Sequence, residues 1–579
     1  MSVVGLLAVG PLIYDPWGLQ GFLVVKVLVT VVALSVGFLS LRGIGPVIPR
    51  SRTALVSGGI LLLALIVGAA TSRAPLAAFL GAGERLTGVL SWLLYALAFL
   101  LGLNLFAGTD RKLVSVAVTA SAVAVLIIST LGILEALGID LITYGQSFGS
   151  RTQALFGNPA VLGALLVLYL PISGGVLLAG HRRLLHGAAL GMGTLALVLS
   201  GTRGAWVGAS IGTLILGYSV LGPRLGVKRL LLYGAATAAL LIAITIPTGR
   251  WSSLALAFEG RTATWGIAAE VIADHPAFGV GPEGFGAAFN ETVDEGFVVT
   301  YTRDQLNDRA HNGILDFTLA AGIIGLIPYL VLIGGVLVVA RRTIAGDDPI
   351  LVGVAAGVVG YLVQQQFFFP HPVTDLVFWF LVGLLAVSVT AVRGIGDRTL
   401  GGVVAVVCAA AIYVAGTALV ADHFDRNGLG ATSYKEALEA FESAAALRPE
   451  ATIHYFIAGS VLRDAPDPEL VRSAIDLTDR GLRWAPDDQL LITAKVNLLL
   501  QEHRLTDSFE PLDAAQPLLE ETLARDQTNG EFYLKLGTLF YYRGDFDSAE
   551  ENWRRAAGLM PHREAPQRNL AILAEERAG

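Results

Sequence analysis

Charged residues are scarce in this sequence, and cysteine is almost absent. Of the 579 residues only 15% are charged, 54% are hydrophobic, and the mean hydropathy is +0.64. This composition excludes an ordinary soluble domain for most of the chain. It indicates a multi-span membrane protein, with enough length for one further domain. The single cysteine, Cys408, lies in an apolar run, which excludes a disulfide framework or a cysteine metal site.

A strongly basic region is also lacking. Residues 431–579 carry 16 Lys/Arg and 26 Asp/Glu, a net charge of −10, which leaves +3 for residues 1–430 of a chain whose total is −7. An acidic C-terminal part joined to a weakly basic membrane part argues against nucleic acid as a partner. The N-terminus lacks the basic start and cleavage site of a secretory signal, so we expect it to be retained as the first span.

Long apolar runs fill the chain as far as residue 420. They predict about thirteen transmembrane helices, at 2–14, 19–40, 53–70, 87–106, 112–134, 159–180, 185–200, 203–221, 229–247, 312–340, 350–368, 373–392 and 400–420. One set of short loops holds fourteen Lys/Arg, and the alternating set holds only Arg73, Arg85, Arg151 and Arg203. By the positive-inside rule the first set is cytoplasmic. We therefore expect the 248–311 loop and residues 430–579 outside, with the N-terminus inside.

The longest polar interruption of the membrane part runs from Arg261 to Gly325. It reads RTATWGIAAEVIADHPAFGVGPEGFGAAFN, then a segment rich in Asp, Thr and Arg, then AHNGILDFTLAAGIIG. The spacing of Trp265, Ala268, Ala269 and Ile272 predicts an amphipathic helix over 262–274, which Pro276 ends. Residues 312–340 are predicted as one helix of about 43 Å. This exceeds a hydrocarbon core of ~30 Å, so its first turn should stand at the outer interface.

Three motifs in this stretch resemble those of the O-antigen ligase and O-antigen polymerase superfamily. They are R-x3-W, HPxxGxGPxxF, and HN opening an apolar helix with GIIG. The resemblance covers roughly residues 1–420. It implies an all-α, polytopic, GT-C-like membrane domain of about 12–13 helices over residues 1–425. It also implies an undecaprenyl-diphosphate-linked glycan as donor, a metal-independent inverting transfer without a cofactor at the outer leaflet, and a lipid, glycan or protein acceptor.

Two arginines are candidate diphosphate ligands. Arg203 follows the Gly-Thr turn of SGTRGAW at the outer end of a span, where a helix N-terminus and a planar guanidinium together suit a diphosphate. The alternative is an arginine that extends to lipid headgroups. Arg261 opens the loop helix and is either a second phosphate ligand or an ordinary exposed residue. The resemblance favours phosphate binding for both.

His311 is the candidate general base. It stands at the start of the long helix, whose dipole disfavours the charged imidazole, so we expect a neutral ring that accepts a proton. The alternative is an N-cap or an interfacial anchor. Asn312 and Asp316, four residues apart on one helix face, either orient the site or pair with each other.

Other polar residues of this region have open roles. Arg303 and Arg309 are candidate substrate contacts, and His371 either lines the same cavity or serves a turn. The acidic residues of the loop have no tight spacing, so no metal is predicted; they are Glu283, Glu291, Asp294, Glu295, Asp304 and Asp308.

After about residue 430 the chain reads as soluble amphipathic helices. The equivalent positions Pro449, Pro486, Gln527 and Pro561 lie 37, 41 and 34 residues apart, a spacing that resembles tetratricopeptide repeats. We predict an α-solenoid over 430–579 with a surface for a protein or glycan partner. Asp545-Phe-Asp547 is expected to be a turn, not a sugar-nucleotide metal motif. Because such repeats bury their own core, cutting after about residue 425 is expected to leave the membrane domain and its loop intact.

The residues and the resemblance together predict glycan transfer from a polyprenyl-diphosphate donor, carried in the membrane lipid, to an acceptor hydroxyl on the extracytoplasmic face of the membrane. A protein O-oligosaccharyltransferase of the same family is an alternative. A transporter of lipid-linked glycan would need charged residues deep in the bilayer, where Lys26 is the main candidate. A membrane scaffold that presents the repeats would leave the loop without a purpose.

Overall fold

The computed structural model describes residues 1–578 except 44, 83–84, 108–110, 143–147, 227, 229–251, 304–306 and 388. The predicted span at 229–247 and Asp304 therefore lie outside the described residues. Two short strands, β1 (Val47–Pro49) and β2 (Val392–Gly394), pair antiparallel, and helices make up the rest of the regular structure that is described.

The first part of the chain is a bundle of apolar helices. In chain order they are α1 (Ser2–Leu12), α2 (Val24–Ser40), α3 (Arg52–Thr71), α4 (Pro75–Leu80), α5 (Val89–Phe106), α6 (Arg111–Ala136), α7 (Pro159–Leu178), α8 (Arg183–Leu199), α9 (Arg203–Leu225), α10 (Ser252–Asp274), α11 (Phe285–Thr292), α12 (Glu295–Tyr301), α13 (Gly313–Ile344), α14 (Pro349–Gln364), α15 (Pro372–Ala386) and α16 (Asp397–Leu429). Of the helices in the described residues, seven are long and apolar enough to cross a membrane: α3, α5, α6, α7, α13, α14 and α16. The shorter apolar helices α1, α2, α8 and α15 occupy four further predicted spans. The prediction of an all-α polytopic fold is confirmed.

Glycines let the central helices approach closely. A Cβ at Gly353 would lie 2.5 Å from the carbonyl oxygen of Pro171, and one at Gly357 would lie 2.4 Å from that of Leu168. Because a side chain does not fit at either position, α7 and α14 pack backbone to backbone, as membrane helices with small residues do.

Helix α13 is broken, so the single straight helix predicted over 312–340 is wrong. Gly322 has φ 60° and ψ −168°, outside the helical region. The HPxxGxG turn packs into the break: Val280 N–H donates to the carbonyl of Leu319 at 2.8 Å, and Ile323 N–H donates to that of Pro276 at 2.9 Å. The turn thus satisfies backbone groups that the broken helix leaves open, which is a requirement inside a membrane protein.

The loop helix α10 is also longer than predicted. It begins at Ser252, not at 262, because the preceding residues are helix-compatible and Gly260 alone does not end it. Its buried positions include Thr264, Ile267, Ala268 and Val271, whereas Ala269 is exposed, so the apolar face is rotated by one position from the prediction.

After residue 430 the chain folds into helical hairpins. The helices are α17 (Tyr434–Leu447), α18 (Ile453–Leu462), α19 (Pro468–Leu482), α20 (Gln489–Thr506), α21 (Glu510–Arg525), α22 (Gly530–Tyr542), α23 (Phe546–Leu559) and α24 (Glu564–Ala578). Pro449, Pro486, Gln527 and Pro561 each follow the end of a helix, as a repeat requires. Asp545 caps α23 by accepting from the Ser548 N–H at 3.2 Å, so it lies at the turn between two helices, as expected.

Helix α16 belongs to both parts of the molecule. Its 33 residues span about 50 Å, more than a bilayer core of ~30 Å. Arg448 from the first repeat donates to the Val414 carbonyl of α16 at 2.8 Å, and His454 Nδ1 lies 2.5 Å from Asp425 Oδ2. Arg448, His454 and Asp425 are each less than 5% exposed, so α16 is packed into the repeats.

Candidate functional site

Arg203 is the first residue of α9 and follows a sharply turned backbone. Gly201 has φ +60°, and the turn is held by Arg151, whose Nε donates to the Ser200 carbonyl at 3.0 Å and whose Nη2 donates to Thr202 Oγ1 at 3.1 Å. Arg203 is half-buried at this helix N-terminus. The N-terminus of a helix, with the positive end of its dipole, favours a bound anion.

Arg261 lies in the middle of α10, with Trp265 one turn further along the same face. The Trp265 Nε1–H donates to the Ala310 carbonyl at 2.8 Å. This hydrogen bond fixes α10 against the residue next to His311. It gives a physical reason for the R-x3-W motif: the tryptophan anchors the helix beside His311, and the arginine, one turn away on the same helix face, is held near it.

The backbone around His311 is clamped by Asp316 and Asn312. One carboxylate oxygen of the buried Asp316 accepts from the Ala310 N–H at 2.7 Å and the other accepts from the Asn312 N–H at 3.2 Å. Asn312 Oδ1 caps α13 by accepting from Ile314 and Leu315 N–H, each at 3.1 Å. The two residues thus contact each other through the Asn312 N–H, and both also hold backbone groups next to His311.

His311 itself has φ +53°, in the left-handed region that is uncommon for residues other than glycine. Its ring lies edge-on to Phe369, with the centroids 5.4 Å apart. The Arg85 guanidinium stands over the same phenyl ring at 4.8 Å and forms a two-point ion pair with Asp308, at 2.7 and 3.0 Å. His311 thus sits against an aromatic ring that also carries a cation.

The site is electropositive. Burial and the charges of Arg261, Arg85 and Arg309, partly offset by the charge of Asp308, together lower the pKa of His311 to about 4. A pKa of about 4 corresponds to a neutral imidazole at pH 7; burial and nearby arginines lower this pKa, whereas the helix dipole was the expected cause. Burial and then the charge of Arg203 likewise lower the pKa of Arg261.

Two of the remaining candidates have internal partners. Arg309 is 9% exposed and pairs with the buried Glu283, and its Nη2 also donates to Thr87 Oγ1 at 2.8 Å. Arg303 lies away from His311 and forms an ion pair with Asp526 of the repeats at 2.7 Å.

His371 lies on the Arg85 side of the site. It directly precedes α15, and its backbone N–H donates to Asp375 Oδ2 at 3.0 Å. Burial, with the charges of Arg85 and Lys26, lowers the pKa of His371 to about 3. Its Nδ1 is buried without a hydrogen-bond partner among the described residues.

The loop carboxylates pair with arginines. Glu283, Glu291, Glu295 and Asp308 contact Arg309, Arg73, Arg555 and Arg85, respectively. Within the residues that the structure describes, no group of three or more His, Cys, Asp or Glu is placed to hold a metal ion. From the sequence, Arg85 was counted only among the loop charges that predict the orientation in the membrane. Its pairing with Asp308, more than two hundred residues away, left no local signal.

Comparison with known proteins gives one family match. Residues 188–330 match the model of the Wzy_C family, described as O-antigen ligase, and this interval includes Arg203, Arg261 and His311. The match confirms the resemblance carried by the three motifs and supports a membrane glycan ligase or polymerase type of function. No curated protein matches the chain. Among solved structures, the crystal structure of yeast Tom70 matches with 12% identity and a TM-score of 0.19, covering 73% of this chain and 89% of that chain.

Proposed function

We propose that this protein transfers a glycan from a polyprenyl-diphosphate carrier to an acceptor hydroxyl at the extracytoplasmic face of a membrane. One observation carries the proposal. Arg203, Arg261 and His311 come from three separate segments, yet Trp265, one turn from Arg261, donates to the carbonyl of Ala310 beside His311 at 2.8 Å, and the charge of Arg203 lowers the pKa of Arg261. Two cations beside a neutral base suit a reaction in which a diphosphate leaves and the base accepts the proton of the acceptor hydroxyl.

The step is a displacement at the anomeric carbon of the donor sugar. The acceptor oxygen forms the new bond to that carbon, the bond to the diphosphate oxygen breaks, and the diphosphate leaves with the electron pair. Arg203 and Arg261 bind the diphosphate and stabilise the charge that grows on it. His311 takes the proton of the acceptor hydroxyl, held in line on the opposite face, so the configuration inverts. No metal ion is needed, because the arginines supply the positive charge.

Donor binding also prepares the base. With a pKa near 4, the imidazole of the free enzyme has a low affinity for a proton, because it is buried and faces arginine charges. A bound diphosphate brings negative charge to Arg203 and Arg261 and offsets their repulsion of the imidazolium. The pKa of His311 then rises towards the working pH, where a general base is most effective. His311 therefore becomes an effective base only after the donor is bound.

The acceptor is a lipid, a glycan or a protein. The repeats lie on the same face of the molecule as the loop. Arg303 of the loop pairs with Asp526 of the repeats, and Arg555 of the repeats pairs with Glu295 of the loop. A protein acceptor, as in a protein O-oligosaccharyltransferase, is therefore kept as the second candidate. Transport of lipid-linked glycan is less well supported. The fully buried Lys26 donates to the Pro11 carbonyl at 2.7 Å and lies 5.0 Å from the Phe156 ring centre. The lysine is held by its own part of the bundle.

The test is transfer by the purified full chain in lipid nanodiscs. Defined undecaprenyl-diphosphate glycans are supplied with lipid, glycan and peptide acceptors, and the anomeric configuration of the product is determined by NMR. We expect an inverted linkage, with or without a chelator. A retained configuration, or activity that chelation abolishes and added metal restores, would contradict the proposed mechanism. Translocation of donor across the bilayer without any transfer to an acceptor would favour the transporter.

A further inference from the structure

Arg303 joins the loop that carries His311 to the helical repeats. Its Nη1 forms an ion pair with Asp526 Oδ2 at 2.7 Å and donates to Thr528 Oγ1 at 3.1 Å. Its Nη2 donates to Gln489 Oε1 at 3.2 Å and to Asn290 Oδ1, on the loop helix α11, at 2.6 Å. One guanidinium therefore binds three residues of the repeats and one residue of its own loop.

Asp526 is built to receive this arginine. It lies between α21 and α22, and its side chain is 1% exposed. Thr528 donates to it through both its N–H and its hydroxyl, at 3.1 and 2.9 Å, and Gln489 Nε2 donates at 2.7 Å. A carboxylate this deeply buried needs a cation as well as hydrogen bonds, and Arg303 supplies it.

The other charged contacts between the loop and the repeats are exposed in the described structure. Arg555 pairs with Glu295, with side chains 38% and 56% exposed. Arg73, which follows α3, contacts Glu291 and Asp487, and its side chain is 47% exposed. Exposed pairs contribute little to stability, typically below about 1 kcal/mol. The ion pair between Arg303 and Asp526 is thus the buried one, and we expect it to contribute more to the stability of the contact between the loop and the repeats than the exposed pairs do.

At residues 308–310, just before His311, the loop is held by three contacts with other segments of the membrane part. Asp308 pairs with Arg85, Arg309 pairs with Glu283, and the Ala310 carbonyl accepts from Trp265. His311 then takes its positive φ of 53°. Such a backbone conformation costs about 1–3 kcal/mol and persists only where the surroundings hold it.

We propose that Arg303 is a positioning residue, through which the helical repeats hold His311 in its working geometry. The inference rests on the proposed function and changes the role of the repeats. They form part of the frame of the active site, in addition to any partner surface that they offer. The inference differs from the sequence-based expectation that removing them leaves the loop intact, because without Asp526 the loop loses its buried ion pair with the repeats.

The test compares four variants of the full chain. Arg303→Ala removes the link, and Arg303→Lys keeps the charge without the fork. The double variant Arg303→Met/Asp526→Asn removes both charges, so that no buried carboxylate is left unpaired and the repeats stay folded. Arg555→Ala is the matched control, because it breaks an exposed ion pair between the same two parts. Hydrogen exchange of the amides at 307–312 is measured without substrate, and kcat and KM for the donor are measured in nanodiscs.

We expect Arg303→Ala and the double variant to speed exchange at 307–312 and to lower kcat by about 100-fold, as small displacements of catalytic groups do, while KM for the donor stays nearly constant. Arg303→Lys should recover part of the rate, and Arg555→Ala should match the wild type. A double variant with normal exchange and normal kcat would overturn the inference, as would a rise in donor KM with unchanged kcat. The exchange measurement needs no reaction. If the wild type transfers no glycan but exchange still rises in the double variant, the proposed function fails while the link to the loop stands.

Discussion

His311 combines a strained backbone with a ring that burial and charge keep neutral. The ring rests on Phe369, and the flanking amides of Ala310 and Asn312 are clamped by Asp316. A side chain that served only to cap a helix would not need this clamp, because Asn312 already caps α13. The arrangement is that of a residue whose position matters to a fraction of an ångström.

Replacement of His311 separates binding from chemistry. His311→Ala is expected to lower turnover by about 10²–10⁴-fold, the usual contribution of a positioned base, while donor affinity is kept. His311→Gln should be nearly as slow, because an amide hydrogen-bonds the acceptor but does not take its proton. Transfer rates and donor binding are measured for both, with His181→Ala, an exposed histidine between α7 and α8, as control. Turnover of the glutamine variant near the wild-type rate would remove the base role.

The two arginines are expected to depend on their planar fork. Arg203→Ala and Arg261→Ala should each weaken donor binding and transfer strongly. Lysine at either position should restore little, since a single ammonium does not grip two phosphate oxygens at once. Donor titrations at low concentration test this, with the exposed Arg183→Lys as control. Full turnover in both lysine variants at low donor would contradict diphosphate binding by these side chains.

The pH profile should report the effect of the donor on His311. kcat/KM reflects the free enzyme, so its acid limb should fall near pH 4, where the imidazole becomes protonated and ceases to act as a base. kcat reflects the donor complex, in which the diphosphate raises the same pKa, so its acid limb should lie at higher pH. Identical limbs in the two profiles would mean that the donor charge does not reach His311.

At the scale of elements, the break in α13 is what brings the turn and the helix together. The HPxxGxG turn occupies the gap at Gly322, and a Cβ on that glycine would lie 2.2 Å from the Ala277 carbonyl oxygen. The nine residues before the break carry Asp316 and the N-terminus of α13, so they hold His311 independently of the longer membrane segment that follows. The glycine-rich motif therefore serves the site through backbone geometry.

Gly322→Ala should damage both stability and activity. The φ of 60° with ψ of −168° is nearly restricted to glycine and costs other residues about 1–3 kcal/mol, before the clash with Ala277 is counted. Gly334→Ala, in the same helix with nothing within 4 Å of the added Cβ, is the control and should be tolerated. Thermal unfolding in detergent and transfer rates compare the two. An equal melting temperature for both variants would argue against a break in the native helix.

At the scale of the whole molecule, the loop and the repeats share one face of the bundle. The charge bias of the loops predicts that this face is outside. We expect a cysteine at the exposed Glu551, in a Cys408→Ser background, to react with an impermeant thiol reagent in intact cells. Cys408 is buried in α16, so the background label should be low even before its removal. Labelling only after lysis would put the repeats and the candidate site in the cytoplasm.

The sequence was most informative where the signal is local. Hydropathy located the apolar helices because a span of about 20 residues is defined by its own composition. The break at Gly322 was missed because its cause, the turn at 276–281, lies some forty residues earlier. Motif and charge bias selected the three candidate residues Arg203, Arg261 and His311, whose roles stay predictions. The clamp by Asp316 was left as an alternative, because a spacing of four residues does not say which backbone groups a carboxylate will meet.

Partners far apart in sequence explain the other differences. Arg303 was proposed as a substrate contact, but it pairs with a carboxylate in the repeats, a choice that depends on how two separately folding parts meet. Arg309, six residues further along the same polar segment, instead pairs with Glu283 inside the loop. Which arginine stays available for a ligand is therefore decided by tertiary contacts.

The continuous helix α16 has a mechanical consequence for anything that binds the repeats. Because the helix leaves the bilayer and enters the first repeat without a break, the repeats are mounted on a stiff post instead of a flexible tether. A domain on a flexible linker holds its bound ligand at a wide range of distances from the membrane, and this range lowers the effective concentration at any one point. A stiff mount presents its cargo at nearly one height and one orientation above the membrane. On the proposed function, a molecule bound by the repeats with its hydroxyl near His311 would have a high local concentration there. A bound molecule whose hydroxyl lies elsewhere would not reach His311, because the repeats are held in one position.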